Sequence, residues 1–342
     1  MTRRERVIEA LHHRETDIVP YQINFTQEEH DNVARYVGDP NFEEHIGVHI
    51  DLATFNAGFT TEDPDKPGYF TDDFGVCWNK TGVDKDIGVV DEILLKEPDL
   101  STYRFPELPV ESLHRMYRDL MQNGHDTFKV GRISLSMFER AWSLRGMQNL
   151  LMDMILHPAF VEALLEAICE FNLQILNLAL TYDIDGVYFG DDWGQQKGLI
   201  MGAPYWRKFL KPQMAKMYAR VKSAGKTVIQ HSCGDNREIL PDLLDIGLDL
   251  YQTVQPEIYD LPTLKREYGQ DLAFWGAIST QRLLPFATPE EVKHETVKIM
   301  KILGEQGGYI VGPTHWVPGD VPPENILALI DVFQNQAQYI HA

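Results

Sequence analysis

An apolar run, Thr227-Val228-Ile229-Gln230, ends in His231-Ser232-Cys233-Gly234. In an extended strand, residues two apart point to the same face, so His231 and Cys233 can converge on one point. An imidazole and a thiolate side by side suit a borderline-soft cation, above all Zn2+. A catalytic zinc takes three protein ligands and leaves one position open. His315, in Gly312-Pro313-Thr314-His315, is the expected third ligand, with Asp191 as a fourth or an orienting partner. A second reading stands beside this one, in which a carboxylate satisfies the imidazole and the thiol is buried and inert.

Other polar residues gather where apolar runs end. Gly190-Asp191-Asp192-Trp193-Gly194-Gln195 brings two carboxylates and an amide, and Gln230, Gln255 and Trp275 fall at or near further run ends. Neighbouring carboxylates can push one pKa upward, which suits a general acid. Adjacent strand residues face opposite ways, and Asp191 is taken as the inward one. The expected catalytic set is therefore Asp191, His231, Cys233 and His315. The expected substrate contacts are Asp192, Gln195, Gln230, Gln255 and Trp275. Glu139 either reaches the same place or sits on a helix surface, and Trp193, Trp275 and Trp316 either wall a flat ligand or pack.

These positions demand a scaffold that collects strand ends. From about Asp126 onward, β-like runs (Phe128–Leu135, Gly186–Gly190, Thr227–Gln230, Leu248–Val254, Leu272–Ile278, Tyr309–Val311) alternate with helical patterns such as Tyr205–Ser223, Pro289–Gly304 and Pro323–Gln336. Parallel strands joined by helices follow from that spacing. Ile18–Phe25 and Val48–Ala53 bring the strand count to eight. The expectation is an α/β (β/α)8 TIM barrel, a fold whose working residues sit at the C-terminal strand ends. Gly68–Val90 breaks the alternation and reads as a small antiparallel addition, and an opening helix precedes the first strand. Without a linker, repeat or low-complexity run, residues 1–342 read as one domain.

Composition narrows the function. With 51 acidic and 31 basic residues the chain carries a net charge of −20, which argues against a nucleic-acid partner. No apolar run is long enough to span a membrane, and Met1-Thr2-Arg3-Arg4 does not open a signal peptide. Three cysteines make no disulfide framework, so a cytoplasmic location is expected. Phosphate-binding glycine loops and serine-hydrolase elbows are missing as well.

Arg4-Glu5-Arg6-Val7-Ile8-Glu9-Ala10-Leu11, Ile18-Val19-Pro20, Asp191-Asp192-Trp193-Gly194, Pro204-Tyr205-Trp206-Arg207, His231-Ser232-Cys233-Gly234, Trp275-Gly276-Ala277-Ile278 and Pro322-Pro323-Glu324 occur in this order. As a set they resemble the uroporphyrinogen decarboxylase-like superfamily. The resemblance implies the same barrel and two activities. Uroporphyrinogen decarboxylases use no metal and grip substrate carboxylates with arginines after the first strand. Here that stretch, Tyr21–His30, has no arginine and two glutamates, although His315 matches a histidine of that branch. The corrinoid-dependent methyltransferases look similar around His231 and Cys233, which there bind zinc with a later cysteine, and no cysteine follows Cys233 here. The resemblance thus implies zinc-assisted methyl transfer between a small O-, N- or S-methyl compound and a corrinoid carried by a partner protein, with a homodimer as the common assembly. Uroporphyrinogen decarboxylation, or a related cofactor-free decarboxylation, is the alternative. A barrel that has lost catalysis and only binds is the third reading.

Overall fold

The strands that alternate with helices are β1 (Ile50–Phe55), β2 (Phe128–Ile133), β3 (Gly186–Gly190), β4 (Thr227–His231), β5 (Leu250–Val254), β6 (Ala273–Ile278) and β7 (Tyr309–Pro313). The principal helices, in chain order, are α1 (Arg3–Leu11), α2 (Gln27–Val37), α3 (Val110–Gln122), α4 (Phe138–Arg145), α5 (Met147–Leu156), α6 (Pro158–Ala179), α7 (Lys211–Ser223), α8 (Leu240–Asp245), α9 (Leu261–Tyr268), α10 (Pro289–Gly304) and α11 (Pro323–Gln334). The computed structural model describes residues 1–55, 61–82 and 88–340. Backbone packing divides the chain into two units, one of Met1–Asp51, Gly124–Lys129 and Asp249–Ala342, the other of Leu52–Asn123 and Val130–Leu248.

In the first unit β5, β6 and β7 pair in parallel, with Leu250 opposite Ala273 and Ile278 opposite Pro313. Beyond β7 the expected strand Ile18–Phe25 is present as extended backbone held by parallel bridges, Tyr21 to Val311 and Phe25 to Val317. It is not a regular strand because Pro20 has no N–H to give and only its carbonyl joins the ladder, accepting from Val311 N–H at 2.9 Å. His49 N–H donates to Tyr21 O and Phe128 N–H to His49 O, so the β1 and β2 positions follow in order. Helix α10 starts where the sequence places it: the Thr288 hydroxyl accepts from Glu291 N–H, the Glu291 carboxylate returns the bond, and Pro289 fills the first turn.

In the second unit β2, β3 and β4 pair in parallel, Val130 opposite Gly186 and His231 opposite Gly190. Every residue of β3 is buried, and in β4 only Thr227 is not, as expected of strands covered on both faces. The expected antiparallel addition is a four-stranded sheet of Thr61–Glu62, Tyr69–Thr71, Cys77–Asn79 and Val89–Val90. Its residues 83–87 lie outside the described residues. Asp72 fastens this sheet to α4: it accepts from Phe74 and Val76 N–H, the Trp78 indole and, at 2.6 Å, the buried Arg140 guanidinium. The helix expected over Tyr205–Ser223 opens as a short turn at Ala203–Tyr205, widens into a π turn over Trp206–Leu210, and continues as α7.

Eight parallel strand positions in chain order, counting Pro20–Thr26, with helices between them, make a (β/α)8 TIM barrel with N-terminal helical and small antiparallel additions. Among the described residues no helix is long and apolar enough to cross a membrane.

Candidate functional site

His231 is the last residue of β4 and is 8% exposed. Strand alternation sends its neighbour the other way. Gln230 faces α7, accepting from the Tyr218 hydroxyl at 2.6 Å and donating to the His231 carbonyl at 2.6 Å. The expected substrate contact Gln230 is thus a buried brace between strand and helix. On the other face the His231 ring stacks on Tyr188 of β3, centroids 6.0 Å apart, and the Arg132 guanidinium of β2 lies over the Tyr188 ring, 5.0 Å from its centroid. His231 Nε2 stands 3.6 Å from Cys233 Sγ and 3.2 Å from Asp192 Oδ1.

Two loops hold that arrangement. The loop after β3 and the loop after β4 meet backbone to backbone at Gly194 and Gly234; a Cβ on Gly194 would sit 2.7 Å from Asp235 N and Cys233 O. Gly234 adopts φ +82°, which a side chain would strain. Trp193 N–H donates to Ser232 Oγ at 2.9 Å, Asp235 N–H to Gln195 O at 2.8 Å, and Cys233 N–H to Asp192 Oδ1 at 2.7 Å. Gln195 contributes that carbonyl while its side chain is exposed.

The two aspartates take opposite places, and the expected order is reversed. Asp191 is fully buried and accepts from the N–H groups of Met137, Phe138 and Glu139 at 3.2, 2.9 and 2.9 Å, and from the Trp193 indole. It caps the start of α4, where a carboxylate answers unpaired amides and the helix dipole. Asp192 is the carboxylate beside His231 and Cys233.

The surroundings are acidic. Burial, then the charges of Asp192 and Asp191, push Glu139 well above the usual carboxylate range. Burial also raises Asp191 to about 6, against the pull of the amides it accepts from. The Cys233 thiol is pushed well up by burial and by Asp192 and Glu139. A cysteine so placed is a poor free nucleophile, whereas a cation would relieve the crowding of negative groups. The donor geometry suits one: a nitrogen and a sulfur on one tetrahedral zinc stand about 3.6 Å apart. That spacing also fits a thiol–imidazole hydrogen bond, so the choice of donors, His with Cys beside a carboxylate, is what favours the metal.

The first unit holds the remaining expected residues. Gln255 is buried just past β5, its carbonyl accepting from Ile258 and Tyr259 N–H. Trp275 of β6 is 4% exposed, its indole lying where a Cβ on Gly312 would intrude. His315 and Trp316 are exposed just beyond β7. Trp193 packs edge-on to Trp206 at 5.3 Å. Sequence reasoning passed over Tyr188 and Arg132. A cation in the apolar strand Phe128–Ile133, and an aromatic two residues before the Gly190 turn, were the available signals.

The sequence pattern of Uroporphyrinogen decarboxylase (URO-D) matches residues 131–336, more than half of the chain. The chain belongs to the uroporphyrinogen decarboxylase family. Two curated members of similar likeness carry different activities. The methylated-thiol–coenzyme M methyltransferase of Methanosarcina mazei is 23% identical over 193 residues, 56% of this chain and 49% of that protein. The uroporphyrinogen decarboxylase of Chloroherpeton thalassium is 24% identical over 189 residues, 54% of this chain and 51% of that protein. The match thus spans about half the length of these curated relatives. A solved methyltransferase from Methanosarcina mazei superposes with a TM-score of 0.72 at 18% identity, over 98% of this chain and 99% of that one. That likeness shows the fold, and it is the family's barrel.

Proposed function

We propose that this family member is a methyltransferase in which residues 1–342 act as one barrel domain. It moves a methyl group between a small O-, N- or S-methyl compound and a corrinoid protein, with zinc assistance. The observation that carries the reading is the convergence of His231 Nε2 and Cys233 Sγ, 3.6 Å apart, beside the Asp192 carboxylate. His231 and Cys233 would hold the metal, with His315, at the C-terminal end of its own strand, as the third ligand. Bound there, zinc supplies Lewis acidity to the heteroatom of the methyl donor, or lowers the pKa of an acceptor thiol.

The chain's own groups do the rest. Asp192 fixes the Cys233 amide and the His231 imidazole, and Tyr188 sets the ring plane. Glu139, its carboxyl pushed well above the usual range by burial and by its acidic neighbours, stands close to Asp192. Gln255 and Trp275 are proposed to line the substrate's side of the barrel. A corrinoid held by the partner protein would supply the methyl-transfer chemistry.

Uroporphyrinogen decarboxylation is the second reading, supported by decarboxylase relatives of equal identity. Against it stand the arginine-free stretch Tyr21–His30 and a site whose carboxylates repel a polyanion. Metal analysis of protein purified without chelator decides between them. Near-stoichiometric zinc, lost in Cys233→Ser with the fold retained by circular dichroism, supports methyl transfer. Protein that takes up no zinc on titration, or that releases CO2 from uroporphyrinogen, sinks it.

A further inference from the structure

The mechanism given so far leaves Arg132 of β2 without a task. Strands β2, β3 and β4 lie side by side in that order, and their register sets Arg132 opposite Tyr188 and His231 opposite Gly190. The intervening residues Phe189 and Gln230 both point to α7, where they meet Tyr218, the first by ring contact at 5.5 Å and the second by its hydrogen bond. Arg132, Tyr188, Gly190 and His231 therefore share the other face, where His231 meets Cys233.

Two features of that face point to a ligand. The first is how the cation is held. The Arg132 guanidinium lies 5.0 Å from the Tyr188 centroid, and the His231 ring of β4 lies 6.0 Å from the same centroid. Its positive charge favours the ionised forms of Tyr188 and Glu139, so it lies close to both. A guanidinium stacked by its face keeps its N–H donors in plane, the fork that a planar carboxylate accepts. The second feature is Gly190. Its backbone is not left-handed, and among the described residues a Cβ there would meet nothing nearer than Ser134 Cα at 3.6 Å. Neither conformation nor packing calls for a glycine, and a strand glycine of that kind marks the close approach of a ligand. It opens room for at least a methyl group beside Tyr188 and across from His231.

We propose that Arg132 selects the substrate. The small methyl compound is a carboxylic acid, its carboxylate held by Arg132 while its methyl-bearing heteroatom faces His231 and Cys233. The inference rests on the methyl-transfer reading above and names the substrate class for that site. The two centroid distances allow a short carbon chain between the ends. One guanidinium answers one carboxylate, so the polyanion already argued against is not admitted.

The full chain loaded with Co2+ in place of zinc tests this, because a thiolate that reaches the metal adds a sulfur-to-cobalt charge-transfer band. Three thiols stand in for the demethylated compound: 3-mercaptopropionate, 1-propanethiol and 2-aminoethanethiol, whose far ends are anionic, neutral and cationic. The wild type should bind 3-mercaptopropionate about 10–100-fold more tightly than 1-propanethiol, the range of a hydrogen-bonded charge pair. Arg132→Gln should erase that preference and Arg132→Lys should keep part of it. Arg132→Glu should turn it toward 2-aminoethanethiol, a gain that lost packing does not give. Co2+ binding and circular dichroism should be unchanged in all three. Wild-type protein that binds Co2+ but takes 3-mercaptopropionate no more tightly than 1-propanethiol overturns the assignment and leaves the methyl-transfer reading standing. A preference that survives Arg132→Gln does the same. Protein that takes up no Co2+ overturns the metal reading, and the substrate class falls with it.

Discussion

Asp191 and Asp192 differ in what their carboxylates touch, and substitutions separate the two roles. Asp191 answers three backbone amides in a buried pocket. Asp191→Ala removes a helix cap and strands buried donors, a loss of about 2–4 kcal/mol expected in urea unfolding. The Asp192 side chain is 37% exposed and touches His231 and the Cys233 amide. Asp192→Ala should change stability by less than about 1 kcal/mol and weaken zinc binding by about 10–100-fold in chelator competition. Equal effects of the two substitutions on metal affinity would contradict these assignments. The identities of His231 and Cys233 were legible in the sequence because a strand's period fixes which residues share a face. The same period predicts that only one of two adjacent aspartates points inward, and it does not say which. That choice is made by the start of α4, more than fifty residues earlier in the chain, and no local signal marks it.

At the scale of elements, the strands and the capped helix α10 were readable because burial pattern and capping are local. Gly186–Gly190 and Pro289–Gly304 have the bounds their residues imply. Two things were not local. Pro20 withholds a ladder donor, so the N-terminal strand is reduced to bridges. Gly194 and Gly234 look like ordinary turn glycines until their loops are brought together. Gly234→Ala places a methyl against the Gly194 carbonyl carbon at φ +82°. Strain of about 1–2 kcal/mol arises from the backbone alone, and the loops must also part. Zinc affinity should fall at least about tenfold, on the scale of a lost supporting contact, while a Gly225→Ala control, at φ +69° with open space around it, leaves it unchanged. Calorimetric titration with zinc compares the two.

Across the molecule, acidity has a cost that pH reveals. Glu29 of α2 is fully buried, takes a hydrogen bond from Asn32 at 3.3 Å and leaves Oε1 without a partner. Burial, then Asp320 and Glu28, raises it to about 7. A carboxyl whose folded pKa lies above its unfolded one binds more protons when folded. Stability from this group is therefore greatest below the unfolded pKa and is lost as pH rises toward 7. Glu29→Gln should match the wild type near pH 4.5 and exceed it above pH 7 in thermal unfolding. A variant no more stable at pH 8 than the wild type would show that Glu29 ionises without penalty. The two glutamates of Tyr21–His30 were visible in the sequence, but burial of Glu29 and exposure of Glu28 were not, because that depends on how α2 settles beside Gly319.

The glycine contact between the two strand-end loops also limits how this barrel can be altered. Backbone touches backbone there, with no side chain to absorb a change in either loop. A graft of His231–Cys233 into another barrel must carry Asp191–Gln195 with it as one cassette. A library that varies either loop alone should return survivors only where both glycines are kept.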